Sequence, residues 1–96
     1  MAVKVVCNDC YGGFSLSKEA IKWLAERGVE TGVYSDLPRH HPLLVQCVEE
    51  LGDDADGDMA SLYVHTLKGN KYIIKEYDGL ERAVEPDYIQ WIVVEG

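Results

Sequence analysis

Cys10-Tyr11-Gly12-Gly13-Phe14-Ser15-Leu16-Ser17 is the stretch on which the reading of the fold turns. Before it runs Val3-Lys4-Val5-Val6-Cys7, rich in β-branched residues and with Lys4 as its only charge. That composition suits a strand buried on at least one face. From Leu16 onward apolar residues recur at helical spacing: Leu16, Ala20 and Leu24, flanked by Ile21 and Trp23. Paired glycines reach backbone angles that a Cβ resists, so Gly12-Gly13 turns the chain from strand to helix. Ser15 or Ser17 is suited to cap that helix. One reading makes the turn a tight connection with Tyr11 and Phe14 as core plugs. The other makes it an anion or phosphate site, because N–H groups at a helix N-terminus point outward with a partial positive charge behind them. No Gly-Lys-Ser/Thr follows the glycines, and the dinucleotide G-x-G-x-x-G pattern is also missing from this stretch.

Outward from this turn, residues 16–27 read as a first helix with Lys18, Lys22 and Glu26 on its polar side and Gly28 as its stop. Residues 29–35 read as a short strand or an extended connector. Asp36-Leu37-Pro38-Arg39-His40-His41-Pro42 reads as a loop, and Pro42 as the first position of a second helix over 42–51. Leu44, Cys47, Val48 and Leu51 form that helix's buried stripe, with Gly52 at its end. Residues 60–67 alternate as a strand. Lys68-Gly69-Asn70 reads as a hairpin connection to a partner strand over 71–77. Asp78-Gly79 is a type I′ turn signal leading to a third strand over 80–84, which Pro86 breaks. Residues 88–94, apolar on both faces, read as an inner strand placed beside the first. The expected architecture is α+β: one domain over 1–96, with two helices packed on one face of a mostly antiparallel sheet of four to five strands.

The net charge of −8 comes from 17 acidic and 9 basic residues. It argues against direct binding to nucleic acid, which needs Lys and Arg to neutralise phosphates. It suits a partner with a basic surface. Six acids, Glu49, Glu50, Asp53, Asp54, Asp56 and Asp58, fall in one stretch with no basic residue, either a solvated loop or a contact patch. Asp54-x-Asp56-x-Asp58 begins like a calcium loop. The template's glycine and final glutamate positions are occupied by Met59 and His65, which rejects it. No apolar run approaches the roughly 20 residues that span a bilayer. No basic segment followed by an apolar run opens the chain. The expected location is the cytoplasm, away from membranes.

Cys7, Cys10 and Cys47 are the three cysteines. Cys7-x-x-Cys10, after a strand and before a helix, has the spacing of a thioredoxin-like redox pair. The glycines that follow keep Cys10 away from the helix N-terminus, where a thiol pKa is lowered. Cys7, Cys10, His40 and His41 add up to four zinc donors on paper, but adjacent histidines are an unusual ligand spacing. No metal or cofactor is expected.

Three stretches carry a resemblance: Cys10 to Ser17; Arg39-His40-His41-Pro42-Leu43-Leu44-Val45 leading to Val48-Glu49-Glu50-Leu51-Gly52; and Tyr72-Ile73-Ile74-Lys75-Glu76-Tyr77-Asp78-Gly79-Leu80-Glu81. Together they are similar to a group of small bacteriophage and prophage proteins with a "CYGGFGLS" opening, an "R-x-D-P-x-L-V…LG" middle and an "I-x-EYDG-x-E" ending. The resemblance spans about residues 3–81. This chain departs from it at Ser15, where the group has Gly, and at His41, where it has Asp. The resemblance implies an inhibitor of host defence, anti-CRISPR-like in kind. Some such proteins mimic the charge of DNA and block nuclease or CRISPR effector surfaces; others trap nucleotide signals in a pocket. Both are non-enzymatic.

Three functions follow. The first is a non-enzymatic inhibitor that uses the six acids to bind a host protein or ribonucleoprotein effector. The second is a nucleotide-type ligand binder built from Tyr11, Gly12, Gly13, Phe14, Arg39, His40 and His41. The third is a Cys7/Cys10 redox protein. An exposed edge strand or the C-terminal apolar run leaves a homodimer open.

Overall fold

A computed structural model of the 96-residue chain describes residues 3–85. Its elements are β1 (Lys4–Asn8), α1 (Lys18–Ala25), α2 (Pro42–Leu51), a 3-10 turn (Gly52–Ala55), β2 (Leu62–Thr66), β3 (Ile73–Tyr77) and β4 (Leu80–Val84). The class is α+β with two helices. The strands make two small antiparallel sheets of two strands each, β1 with β2 and β3 with β4, and no single sheet of four to five strands forms among the described residues. The strand expected over residues 88–94 lies outside the described residues.

The strand pairing corrects the expected hairpin at Lys68-Gly69-Asn70. β2 does not pair with β3. It pairs with β1 in a register that sets Val6 opposite Val64 and Cys7 opposite Tyr63. The connection through Lys68 and Gly69 carries the chain from one sheet to the other, with both backbone N–H groups donating to the Glu85 carboxylate. The other hairpin is the one the sequence announces. Asp78 and Gly79 both have positive φ, +50° and +92°, as a type I′ turn demands, and Tyr77 pairs with Leu80 across it.

β1 is the middle of the molecule because successive side chains of a strand face opposite ways. Val6 faces the helices and joins a cluster of Leu16, Ala20, Trp23, Leu24, Leu44, Val45, Cys47, Val48 and Ala55. Val5 and Cys7 face the hairpin and pack with Leu67, Tyr63, Tyr72, Ile74 and Ala83. The β1–β2 ribbon therefore has helices on one side and the β3–β4 hairpin on the other.

The helices follow their local signals with adjusted ends. α1 starts later than the apolar spacing suggests, because Leu16 is held extended by a bridge to Asp56 and by donating its N–H to the Val33 carbonyl. Ser17 is the N-cap and accepts from the Ala20 N–H at 3.0 Å. α2 has Pro42 in its first turn and His41 as N-cap, with Nδ1 accepting from the Leu43 N–H at 3.1 Å. Residues 29–35 form no regular element; they are the connector rather than the strand.

Candidate functional site

One end of the molecule gathers three loops: 9–17, 53–62 and 76–80. A single side chain ties them. Asn8 closes β1 and is fully buried. Its Nδ2 donates to the Cys10 carbonyl and to the Gly79 carbonyl, each at 2.7 Å, and its Oδ1 accepts from the Ser61 N–H at 2.8 Å. Two donors and one acceptor thus reach one loop each, as only an amide of this size can do. Backbone bonds add to the tie: Asp9 N–H to Ser61 carbonyl at 2.7 Å, Gly57 N–H to Ser15 carbonyl at 3.0 Å, and Ser17 N–H to Ala55 carbonyl at 2.9 Å.

The glycines serve this docking. A Cβ on Gly79 would lie 2.6 Å from the Tyr11 carbonyl oxygen and 2.8 Å from Gly13 Cα, and a Cβ on Gly12 would strike Met59. So the Asp78–Gly79 turn sits on the Tyr11–Gly13 loop, with Met59 behind. Gly12-Gly13 does not lead straight into the N-terminus of α1, which begins at Lys18. The carbonyls of Asp54 and Ala55 occupy that N-terminus, accepting from the Ser17 hydroxyl and Ser17 N–H. It is therefore engaged by the acidic segment itself.

Seven acids lie in these three loops: Asp9, Asp53, Asp54, Asp56, Asp58, Glu76 and Asp78; the loops hold no Lys or Arg. Taking these seven from the seventeen acids of the chain leaves ten, against nine Lys and Arg. Nearly all of the net charge therefore belongs to this end.

The six acids expected as a patch divide into two kinds. Asp53, Asp54 and Asp58 are exposed. The others have partners: Glu49 takes the Lys4 ammonium at 2.9 Å, and Glu50 accepts from the Trp23 indole N–H at 3.0 Å and from Gln46. Asp56 accepts from the Leu62 N–H at 2.8 Å and so heads β2. Burial pushes the Asp56 carboxyl above its ordinary range, and nearby Asp53 adds to this against the lowering effect of the Leu62 bond.

The residues of the ligand reading are only partly brought together. Arg39 lies over the Phe14 ring, 3.8 Å from its centre. Its guanidinium is already engaged in a bidentate pair with Glu81, Nη2 to Oε2 being 2.8 Å. Glu81 is buried and also accepts from the Asn8 backbone N–H at 3.1 Å. His40 shares a hydrogen bond with the Tyr72 hydroxyl at 2.7 Å, and His41 caps α2. Tyr11 is two-thirds exposed rather than a core plug. The cation an anionic ligand would need is neutralised within the fold.

The cysteines are unpaired thiols. Cys7 is buried, and burial raises its pKa, the opposite of the shift that makes a thiol reactive. Cys47, in the helix-side core, is pushed up to about 11 by burial. Among the described residues no three His, Cys, Asp or Glu side chains gather as metal ligands, and no helix is long and apolar enough to cross a membrane.

Sequence reasoning missed Asn8, Glu81, Gly57 and Met59. Asn8 had a signal, a polar residue directly after an apolar strand. Glu81 had none, since Leu80, Arg82 and Val84 compete with it for the inward face of β4. No family model, curated protein or solved structure matches this chain.

Proposed function

We propose that this chain is a phage-encoded, non-enzymatic inhibitor of a host defence system. In this reading it binds a basic surface of a nucleic-acid-handling effector, protein or ribonucleoprotein, through its acidic end. The observation that supports it is the segregation of charge: Asp53, Asp54 and Asp58 are exposed on backbone held by Ser15 and Ser17, in a stretch with no Lys or Arg. Carboxylates fixed in this way present negative charge without first having to be ordered, which lowers the cost of binding. They compete for the Lys and Arg side chains that an effector uses for phosphates. Asp56 is not part of the patch, because its carboxylate heads β2.

The test is expression of the chain in bacterial hosts that carry defined nuclease-based defences, read as the plaquing efficiency of a sensitive phage. The wild type is expected to restore plaquing against its target. Asp53→Lys, Asp54→Lys and Asp58→Lys together are expected to weaken effector binding by about 100-fold or more, since like charges across an interface cost several kcal/mol. Undiminished protection by that triple variant, with its melting temperature kept, would remove the proposal.

A further inference from the structure

The β3–β4 hairpin has an outer face and an open edge that the fold leaves unused. Ile74 and Ala83 pack toward β1, and Glu81 is buried there. Side chains alternate along a strand, so Ile73, Lys75 and Tyr77 of β3 face outward with Val84, Arg82 and Leu80 of β4, each directly opposite its partner in the register. Ile73 is 59% exposed and Tyr77 71%, and Lys75 and Arg82 are exposed as well. This face holds two cations, four apolar residues and no acid, in a chain whose net charge is −8.

The strand edges differ in what covers them. On β1 the Val6 N–H donates to the Arg39 carbonyl at 2.9 Å, and the Asn8 N–H donates to the Glu81 carboxylate at 3.1 Å. On β2 the Leu62 N–H donates to Asp56, and on β4 the Glu81 carbonyl accepts from the Tyr63 hydroxyl. Among the described residues β3 has β4 as its only strand neighbour, and no hydrogen bond from outside the hairpin reaches its backbone. An unpaired strand edge is a row of N–H and C=O groups ready to pair with another extended chain. In a hairpin closed by a two-residue turn, the closing pair and every second pair beyond it bond to each other. Tyr77, Lys75 and Ile73 thus turn their backbone groups to β4, while Ile74 and Glu76 turn theirs to the open edge.

Charge selects what pairs there. Lys75 and Arg82 stand opposite each other, an arrangement that destabilises a sheet. Among the described residues neither has an ion-pair partner. A carboxylate beside Lys75 relieves that repulsion. A second β3 paired about its centre sets Lys75 against Lys75 and is repelled. A nucleic acid has no ladder of N–H and C=O groups to offer. We infer that the β3 edge takes an extended segment of a partner protein, with an Asp or Glu beside Lys75 and apolar or aromatic residues two positions to either side, against Ile73 and Tyr77. Main-chain bonds supply affinity in such strand addition, and alternate side chains supply specificity. The site is separate from the acidic residues of the proposed function and stands or falls independently of them.

The test is selection of a random dodecapeptide phage-display library on the whole chain. Enriched peptides are expected to carry Asp or Glu with aliphatic or aromatic residues two positions before and after it. The Lys75→Glu/Arg82→Glu variant changes only exposed side chains, and its melting temperature checks that it folds. It should bind these peptides at least about tenfold more weakly, since like charges then face each other. Lys75→Gln, which removes one charge, should weaken binding in the same direction. On the wild type, peptide addition should slow exchange of the Ile74 and Glu76 amide hydrogens by at least about tenfold, as new edge bonds protect them. Acidic peptides bound equally by the charge-reversed variant, or Ile74 and Glu76 amides that exchange as before, would overturn the proposal. Selection of basic peptides alone would overturn it in favour of the acidic residues, and an absence of enrichment would overturn it outright.

Discussion

The two faces of β1 are held by different physics. On the helix side Val6 joins nine other buried residues, all apolar, between two capped helices. On the hairpin side only Val5, Cys7 and Leu67 are buried as an apolar group, with Tyr63, Tyr72, Ile74 and Ala83 half-buried against it, and polar contacts supply much of the attachment. Asn8 ties the loops with three hydrogen bonds, Glu81 pairs with Arg39, and the Tyr63 hydroxyl donates to the Glu81 carbonyl at 3.3 Å. Apolar burial is non-directional and tolerates small shifts. Buried hydrogen bonds are directional, and a donor or acceptor left alone costs about 1–3 kcal/mol. The helix side thus sets stability, while the hairpin side fixes where the loops stand. A surface assembled from three loops needs that kind of placement.

The comparison is broken most strongly from the helix side. Leu24 is fully buried, and Leu24→Ala is expected to cost about 2–5 kcal/mol by lost burial and the cavity left behind. Urea unfolding reads that cost as a lowered midpoint. The hydrogen bonds of Asn8 to the three loops should survive wherever the variant is folded, since none of them involves Leu24.

Asn8→Asp is the sharper substitution. It keeps the shape and removes both amide donors, leaving the Cys10 and Gly79 carbonyls without Asn8 and setting a carboxylate near them. A loss of about 2–4 kcal/mol is expected, from one or two unmade buried bonds and a buried charge. Unlike Leu24→Ala it should also shift the amide resonances of all three loops together. Shifts confined to residues 9–17 would show that Asn8 is not their common tie.

Gly79→Ala and Gly13→Ala separate close approach from backbone strain. Both glycines have positive φ, +92° and +93°. Around Gly13 a Cβ would meet open space, whereas at Gly79 it would press on Tyr11 and Gly13. Gly13→Ala is expected to cost about 1 kcal/mol from the left-handed conformation alone. Gly79→Ala should cost more, about 2 kcal/mol, and should loosen Tyr11. Thermal unfolding of the pair checks the order.

The smallest expected effect concerns Asp56. Its folded pKa is raised above the ordinary 3.8, chiefly by burial. The native state therefore holds a proton more readily than the unfolded chain does. The stability this adds is fully present below pH 3.8 and is lost as pH rises through the folded value. Asp56→Asn keeps an acceptor for the Leu62 N–H without the charge, so at neutral pH it should be as stable as the wild type or slightly more so. That margin should close as pH falls below about 4, near the ordinary carboxylate pKa. A pH series of melting temperatures on both proteins shows it.

Much of the local structure was legible. Pro42 and Gly52 bracket α2 as propensity suggests, and Asp78-Gly79 makes its type I′ turn, because those signals act within a few residues. The candidate site was legible only as charge. Six acids in one stretch stand out, yet nothing in Glu49-Glu50 or Asp56 says which carboxylates face Lys4, Trp23 or Leu62. Tyr11 reads as a core plug from its place beside two glycines, and it lies outside because the Asp78–Gly79 turn covers the loop backbone instead.

By itself the sequence determined the class, the two helices, the tight turn and an acidic balance, since each depends on composition or on neighbours along the chain. The tertiary structure alone decided that β2 pairs with β1 across more than fifty residues and that the strands divide into two ribbons. It also decided that Asn8 and Glu81 are buried and that the Asp78–Gly79 turn and Met59 pack against the Tyr11–Gly13 loop. Pairing of distant strands is a competition among edges of similar propensity. It is settled by which arrangement buries Val5, Val6 and Cys7 on both faces of β1 while satisfying its last polar residue.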